Sequence, residues 1–237
     1  MARGSGAQGD PVLAQVLASA ARLQHAVPDA VLVGDAAAAV HAGHRDSFDH
    51  DHVLPDLAQR YAEVLEAVEA TDGWATSVRA SRPPMTIMGS LGGIEAGLRQ
   101  MRRTRPLETV PVGVGVGVGL VVVAPTPDEM LRVKAYLVVQ RNQVRDYLDS
   151  VALADHVGHA HAVEVLAAID DYYDDRSGEH GSVLTALVMR LAHPDPKDVE
   201  VTRQLSRYKG LDPRWHNWSD VVRECEVLAV DLTRVPG

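Results

Sequence analysis

The spacing of apolar positions changes several times along the chain, and each spacing predicts a different element. From Pro11 to about His25 the apolar residues recur at helical intervals. Val31 to Val33 is a short β-branched run that predicts a strand, and Gly34 provides the turn that follows it. Ala36 to Ala42 then predicts a helix of small residues, because alanine has the highest helix propensity and adds little bulk.

Residues 47–51 alternate between two faces, as the residues of a strand do. The alternation puts Ser47, Asp49 and Asp51 on one face of that strand. Further on, helical spacing and strand-like runs bounded by turn residues recur. They predict helices over 57–71 and 92–105, strands over 74–80 and 85–88, and a strand or hairpin over 110–125.

Beyond Thr126 the predicted elements are all helices, over 130–155, 160–171, 182–191, 197–206 and 218–232. The order of elements therefore predicts an α/β (α+β) protein in which a small mixed sheet is flanked by helices and followed by a helical C-terminal subdomain. We expect residues 10–125 to form the first part and residues 126–235 to form the second.

Composition narrows the class of protein. The single cysteine, Cys225, excludes a disulfide framework and a cysteine-based zinc site. The longest apolar run, Val110 to Pro125, is interrupted by glycine and proline and is shorter than the roughly 20 residues that span a bilayer, so we expect no membrane segment and a cytoplasmic protein. A net charge of −9 argues against general nucleic-acid binding, so a nucleic acid would have to meet a local basic patch.

The paired carboxylates Asp49 and Asp51 are the first candidate site. Two carboxylates on one face of a strand repel each other unless a cation lies between them. Oxygen ligands of this kind suit Mg²⁺, and Gly34 lies close enough in sequence to receive phosphate oxygens beside the metal. The pair therefore predicts a magnesium and phosphate site.

A longer pattern surrounds this pair: a glycine turn, a small helix, and His-x-Gly-His-Arg-x-Ser-x-Asp-x-Asp ending at Asp51. It resembles the signature of the AbiEii/MenT toxin nucleotidyltransferases, within the DNA polymerase β-like superfamily. The resemblance implies Mg²⁺-dependent transfer of a nucleotide from a nucleoside triphosphate to an RNA acceptor such as a tRNA 3′ end. It also implies a partner antitoxin. A protein acceptor remains open. One departure is Gly34-Asp35, where the family usually has Gly-Gly or Gly-Ser.

The resemblance extends to residues 130–155. Lys134 and Asp146 match functional positions of the family, and Asp149 matches a frequent companion. Helical spacing places Lys134, Arg141 and Arg145 on one stripe. The resemblance therefore implies the following roles. The catalytic residues are Asp49, Asp51, Lys134 and Asp146, the metal ligands are Asp49 and Asp51, and the nucleotide-binding residues are Gly34, Asp35, Ser47, Lys134 and Arg145.

Two further features concern the partners of this site. Related enzymes generally take a third carboxylate from a later strand, and Glu108 is the strand candidate in this sequence. In the predicted helix over 92–105 the arginines lie toward the C-terminal end. They could be solvated there and interact favourably with the helix dipole, or they could contact an RNA backbone. The candidate RNA-binding residues are Arg99, Arg102, Arg103 and Arg105.

Two rival functions stay open. The first is a nucleotidyltransferase-like protein that binds or regulates without catalysis. It is suggested by the departure at Gly34-Asp35 and by the lack of a clear third carboxylate on a later strand. A metal phosphohydrolase would use histidine and aspartate ligands, and four histidines crowd this stretch: His41, His44, His50 and His52. Strand alternation argues against the second rival, because it directs His50 away from both aspartates.

Overall fold

A computed structural model describes residues 11–114, 119–176 and 181–235 of the chain. The centre of the valine and glycine segment predicted over 110–125, and residue 10 at the start of the expected first domain, lie outside these ranges. The chain divides into two compact units, one ending at Thr126 and the other beginning at Pro127. Each unit is described by itself.

The first unit contains three helices and seven strands among the residues described. In chain order they are α1 (Pro11–Ala26), β1 (Val31–Val33), α2 (Gly34–Ala42), β2 (Asp49–Leu54), α3 (Leu57–Glu69), β3 (Trp74–Thr76), β4 (Thr86–Leu91), β5 (Ile94–Gln100), β6 (Thr109–Val114) and β7 (Leu120–Pro125).

Five of the strands form one mixed sheet in the order β1-β2-β5-β4-β3. Strands β2 and β5 are parallel, and the other three neighbouring pairs are antiparallel. The remaining strands, β6 and β7, pair as a separate antiparallel hairpin, which agrees with the hairpin predicted from their alternating valine and glycine. The predicted class, a small mixed sheet flanked by helices, is confirmed.

One face of the five-stranded sheet is covered by a hydrophobic core. Leu54 of β2, Ile87 of β4 and Leu98 of β5 are fully buried against residues of α1 and α3, including Leu23 and Val64. Burial of this apolar surface is the main favourable term in folding. Because side chains alternate along a strand, the residues between these core positions point to the other face of the sheet.

The helix predicted over 92–105 is wrong. Gly92 and Gly93 both have positive φ, at 61° and 85°, and form the two-residue turn between β4 and β5. Two such residues favour the type of turn whose twist matches a hairpin. After the turn Ala96 and Leu98 are buried while Glu95 and Arg99 are exposed, which is the period of a strand. The pair of glycines was the sequence signal for a hairpin.

Strand β2 also begins later than predicted, at Asp49 instead of Ser47, and continues to Leu54. The hydroxyl of Ser47 donates a hydrogen bond to the main-chain oxygen of Asp49 at 3.2 Å. Such local bonds compete with strand pairing. Phe48, expected on the face opposite Asp49, is 52% exposed just before the strand begins.

Two histidines of β2 lie on the buried face, directly behind the aspartates. The Nε2 atom of His50 lies 3.0 Å from the Ser19 hydroxyl, and the His50 and His52 rings pack edge to face with centroids 5.2 Å apart. Neither nitrogen of His52 has a hydrogen-bond partner within the described part of the chain. Burial lowers the pKa of His50 to about 4 and lowers that of His52 well below its usual value. Both rings are therefore neutral at pH 7.

These buried histidines should make the first unit sensitive to acid. In the unfolded chain His50 gains a proton near pH 6.5, whereas in the folded protein it gains one near pH 4. Between those values the unfolded state binds more protons, so stability falls as the pH falls. The loss from His50 amounts to about 3 kcal/mol, at about 1.4 kcal/mol per unit of pKa. Urea unfolding at pH 7 and pH 4.5 should show a smaller pH effect in His50→Gln than in wild type. His25→Gln, at an exposed position, should behave as wild type does.

The second unit is helical within the ranges described. Its α-helices are α4 (Pro127–Gln140), α5 (Val144–Val157), α6 (His159–Ala167), α7 (Ile169–Tyr172), α8 (Val183–Ala192) and α9 (Trp218–Leu232), and three 3₁₀ segments span Asp174–Arg176, Val199–Arg207 and Pro213–Trp215. No helix in the described ranges is long and apolar enough to cross a membrane.

The continuous helix predicted over 130–155 is wrong, because the chain breaks into α4 and α5. Asn142 has φ 55°, outside the helical region, and its side chain donates a hydrogen bond to the main-chain oxygen of Asp195 at 2.7 Å. The Tyr147 hydroxyl lies 2.5 Å from the side-chain oxygen of Asn142. Lys134 and Arg145 therefore lie on different helices and do not share the stripe expected from spacing. The sequence carried a weak signal, since asparagine is among the few residues that tolerate this conformation.

Candidate active site

Asp49 and Asp51 point to the face of the sheet opposite the core, as their alternation with the buried histidines requires. Gly34, which begins α2, has φ 77° and lies against Asp51 of this pair. A Cβ atom at Gly34 would lie 3.5 Å from Asp51 Cβ and 3.6 Å from Asp51 Oδ2. The glycine turn and the carboxylates thus meet, as the sequence pattern predicted.

Three residues of β5 extend this face, and only the last of them, Arg99, was given a role from the sequence. The parallel register pairs Glu95 with Asp49 and Gly97 with Asp51. Neighbours in register point to the same side of a sheet, so Glu95, Gly97 and Arg99 share the face of the aspartates. Glu95 is therefore the strand carboxylate beside the pair. Glu108, the candidate chosen from the sequence, lies just before β6 in the separate hairpin.

Arg99 forms an ion pair with one aspartate of the pair. Its Nε atom lies 3.2 Å from Asp51 Oδ1, and its side chain is 46% exposed. Burial raises the pKa of Asp51, Arg99 opposes that rise, and the charges of Asp49 and Asp35 add to it. Arg99 was predicted as an RNA contact on a helix. It instead lies on a strand and pairs with a site carboxylate.

Asp35 follows Gly34 in the first turn of α2 and forms a buried ion pair. Its Oδ1 atom lies 2.9 Å from Nη2 of Arg45, and the two side chains are 9% and 0% exposed. Arg45 lies between α2 and β2, in the segment that leads into the aspartates. Asp35, which departs from the family pattern at the glycine turn, is thus paired with Arg45 of the same sequence signature. Ser47 is fully buried, and its hydroxyl also lies 3.4 Å from Asp49 Oδ1.

The carboxylates suit a magnesium ion. Mg²⁺ commonly binds through one or two carboxylates and completes its coordination with substrate phosphates and water. Asp49 and Asp51 provide the carboxylates, and the glycine turn beside Asp51 leaves room for a phosphate. Among the residues described, no group of three or more histidine, cysteine, aspartate or glutamate side chains is arranged to hold a metal by itself. The pair therefore fits a metal that arrives with a nucleotide better than a permanently enclosed one.

Gly97 is essential to the position of Asp51. A Cβ atom at residue 97 would lie 2.5 Å from Asp51 Oδ1 and 2.9 Å from the Met88 sulfur, so Gly97→Ala must displace the carboxylate. We expect this variant to weaken Mn²⁺ binding at the pair by at least about tenfold, an effect of about 1.4 kcal/mol. Gly113→Ala is the matched control, because its Cβ would meet nothing within 4 Å. Equal Mn²⁺ affinity in both variants would remove Asp51 from the metal site.

In the second unit the predicted catalytic residues form a compact charged cluster. Lys134 Nζ lies 2.6 Å from Asp149 Oδ2, and both side chains are fully buried. Asp146 is also buried and accepts a hydrogen bond from Arg141. Burial raises the pKa of Asp146, while Arg141 and Lys134 oppose the rise. The structure thus brings Lys134, Asp146 and Asp149 together within this unit.

The other predicted basic residues do not form one surface. The Nε atom of Arg145 donates to the side-chain oxygen of Gln143 at 3.0 Å. Arg103 is buried and donates to the main-chain oxygens of Arg105 and Pro106 at 3.0 and 3.1 Å. Arg102 and Arg105 are exposed in the segment after β5. The prediction that all four arginines lie on one helix is therefore wrong.

Solved structures with the same fold define the class of this chain. The nucleotidyltransferase toxin MenT4 of Mycobacterium tuberculosis matches with a TM-score of 0.60 and 16% identity, over 98% of this chain and 88% of that one. A nucleotidyltransferase-like protein of Helicobacter pylori matches with a TM-score of 0.52 and 15% identity, over 94% of both chains. The chain has the nucleotidyltransferase fold. The resemblance to the AbiEii/MenT group, inferred from the glycine turn and the aspartate pair, is confirmed at the level of the fold.

Sequence relatives add a different context. No protein-family profile matches the chain. The heme uptake protein MmpL11 of Mycobacterium tuberculosis is 32% identical over 225 residues, which are 92% of this chain and 22% of that protein. The mycolic acid-containing lipids exporter MmpL11 of Mycolicibacterium smegmatis is 36% identical over 108 residues, which are 46% of this chain and 11% of that protein. The chain spans about a fifth or less of the length of these relatives.

Proposed function

We propose that this protein is a Mg²⁺-dependent nucleotidyltransferase. The observation that supports this best is the meeting of Asp49 and Asp51 with the Gly34 turn on one face of a nucleotidyltransferase-type sheet. Fold alone does not determine chemistry, so the proposal rests on this site. The two carboxylates provide metal ligands, and the turn provides a place for phosphate oxygens at the start of a helix.

In this proposal each part of the face has a separate task. Asp49 and Asp51 orient the triphosphate through the metal, and Glu95 adds a third negative charge beside Asp49. Arg99, which pairs with Asp51 before substrate binds, can turn toward a phosphate oxygen because its side chain is half exposed. Magnesium, when bound, would neutralise the charge that develops on the α-phosphate as pyrophosphate leaves. Catalysis of this kind depends mainly on positioning and electrostatic stabilisation.

The roles proposed for residues of the second unit follow from the resemblance to the toxin nucleotidyltransferases. Asp146 has a raised pKa and a buried oxygen, Oδ2, without a hydrogen-bond partner in the described ranges, so it is a candidate base for the acceptor hydroxyl. Lys134 and Arg145 are candidates for the triphosphate tail. Lys134 would act mainly by holding Asp149, because the two side chains are buried against each other.

The proposed acceptor is RNA, in particular a tRNA 3′ end, and the proposed cellular role is that of a toxin with an antitoxin partner, in the cytoplasm. Support comes from the sequence signature and from the fold shared with the toxin MenT4. With a net charge of −9, the protein can meet an RNA only through local basic residues. Arg102 and Arg105 are exposed and close in sequence to Arg99, so they are candidates for that contact.

Incorporation of labelled nucleotide tests this function. Purified protein is incubated with Mg²⁺, each of the four labelled nucleoside triphosphates, and either total RNA or total protein. We expect label in the RNA fraction, concentrated in tRNA, and loss of label when Mg²⁺ is chelated. Label in protein would support nucleotidyl transfer with a different acceptor. Absence of label from both fractions, together with absence of nucleotide binding in calorimetry, would contradict the proposal.

A second candidate function is a nucleotide-binding module without transferase activity. It is favoured by the match to about a fifth of the length of proteins named for transport. In that case the protein would bind Mg²⁺ and a nucleoside triphosphate without forming pyrophosphate. Calorimetry and a pyrophosphate assay on the same sample separate the two candidates.

A further inference from the structure

The proposed nucleotide site contains an acid where a triphosphate would need room. Asp35 lies one residue after Gly34, in the first turn of α2. Gly34 itself lies against Asp51, since a Cβ atom at Gly34 would lie 3.5 Å from Asp51 Cβ, so Asp35 is the next residue after the phosphate turn. A helix N-terminus favours anions, but an ionised carboxylate in its first turn competes for the same N–H groups and repels phosphate. Left alone, Asp35 would oppose the binding that the glycine turn permits, so the nucleotide contact expected of Asp35 from the sequence is not the role proposed for it here.

Arg45 compensates this charge within the same short segment. It approaches Asp35 to 2.9 Å, and its side chain is completely buried. Away from water an ion pair is screened little, so the two charges cancel more fully than they would at the surface. Burying a charge costs free energy, and the ion pair offsets part of that cost, so removing either residue takes this compensation from the other.

We propose that Arg45 is a positioning residue that neutralises Asp35 and thereby allows a triphosphate to bind at the Gly34 turn. This inference rests on the proposed function, since it concerns the same site. Arg45 acts through Asp35 and does not touch the nucleotide. Asp35 and Arg45 therefore act together as a neutral pair. This pair takes the place of the uncharged residue that the signature usually has after its glycine.

Loss of Arg45 should change the affinities for a cation and for an anion in opposite directions. In Arg45→Met the ion pair with Arg45 is lost, so the charge of Asp35 should attract a metal ion and repel a triphosphate. A full charge within several ångströms changes binding by about 10- to 100-fold at the effective dielectric of a protein. We therefore expect Mn²⁺ alone to bind about 10- to 100-fold more tightly and the magnesium complex of the triphosphate to bind more weakly by a similar factor.

The experiment is calorimetry on the full chain with two probes, Mn²⁺ alone and the Mg²⁺ complex of whichever of ATP, CTP, GTP or UTP binds wild type most tightly. The variants are Arg45→Met, Arg45→Lys and the double variant Asp35→Asn with Arg45→Met. The double variant should return both affinities to within about threefold of wild type, and Arg45→Lys should retain most triphosphate affinity. Thermal unfolding of each variant confirms that folded protein is compared.

Each outcome separates one explanation from another. If Arg45→Met does not fold, the double variant alone decides, because it lacks both charges. Wild-type triphosphate affinity in the double variant supports the proposal. Weak binding there shows that the arginine contacts phosphate directly and overturns it. Equal weakening of both probes in Arg45→Met shows a merely structural role and also overturns it. If wild type binds no triphosphate, the proposed function itself fails.

Discussion

Asp49→Asn should lower nucleotidyl transfer by about a thousandfold or more, while the fold remains intact. Asparagine keeps the shape of the side chain but loses the charge that binds the metal, and a loss of about 4 kcal/mol in transition-state stabilisation corresponds to that factor. The substitution also relieves repulsion with Asp51, which shares its face of the sheet. We therefore expect an unchanged or slightly raised midpoint of thermal unfolding.

Asp72→Asn is the matched control for this experiment. Asp72 is exposed at the turn that precedes β3, and the substitution removes the same charge far along the chain from the glycine turn. Rates of label incorporation into RNA are compared at saturating Mg²⁺ for both variants. If Asp49→Asn transfers nucleotide as fast as Asp72→Asn does, the metal assignment is wrong.

Lys134→Met should destabilise the second unit by about 3–5 kcal/mol. Lys134 Nζ and Asp149 Oδ2 lie 2.6 Å apart and both side chains are fully buried, so removal of the lysine takes away the ion-pair partner of a charge that stays buried. The double variant Lys134→Met with Asp149→Leu should recover most of this loss, since apolar residues can replace a buried ion pair at little cost. Urea unfolding of the single and double variants measures both effects.

This test also decides what Lys134 does for the nucleotide. Lys197→Met, at an exposed position, is the control for loss of a lysine charge and should leave stability within about 0.5 kcal/mol of wild type. If Lys134→Met is as stable as that control but needs more nucleotide for half-maximal transfer, the lysine reaches the triphosphate. A stability loss that the double variant recovers, together with recovered nucleotide affinity, supports a role in holding Asp149.

The parts of the fold that the sequence predicts well are those determined by neighbours in the chain. The order of β1, Gly34, α2 and β2 follows from local features of the sequence. β-branched residues favour the strand β1, glycine permits the turn, and alanine favours the helix α2. The prediction failed for β5 because the apolar residues Ile94, Leu98 and Met101 also fall at helical spacing. The Gly92-Gly93 turn selects the strand, and it carried more information than the charges that followed.

Most of the site's electrostatics could not be predicted, because they depend on which strands become neighbours. Glu95 and Arg99 lie far from Asp51 in sequence, and only the parallel register of β2 and β5 brings them to the same face. The pairing of Asp35 with Arg45 is nearer in sequence, but its burial follows from packing. The aspartate pair itself was predictable, since alternation along one strand sufficed.

The parallel pairing of β2 with β5 has a consequence for how the protein folds. Strands β4 and β5 are joined by a two-residue turn, so they can pair early, whereas β2 must close a loop of some forty residues before it meets β5. The face that carries Asp49 and Glu95 is therefore assembled from the slower contact. We expect amide hydrogen exchange during refolding to protect the β4–β5 hairpin first and the β2–β5 ladder later, so Glu95 and Arg99 would reach the aspartates only late in folding.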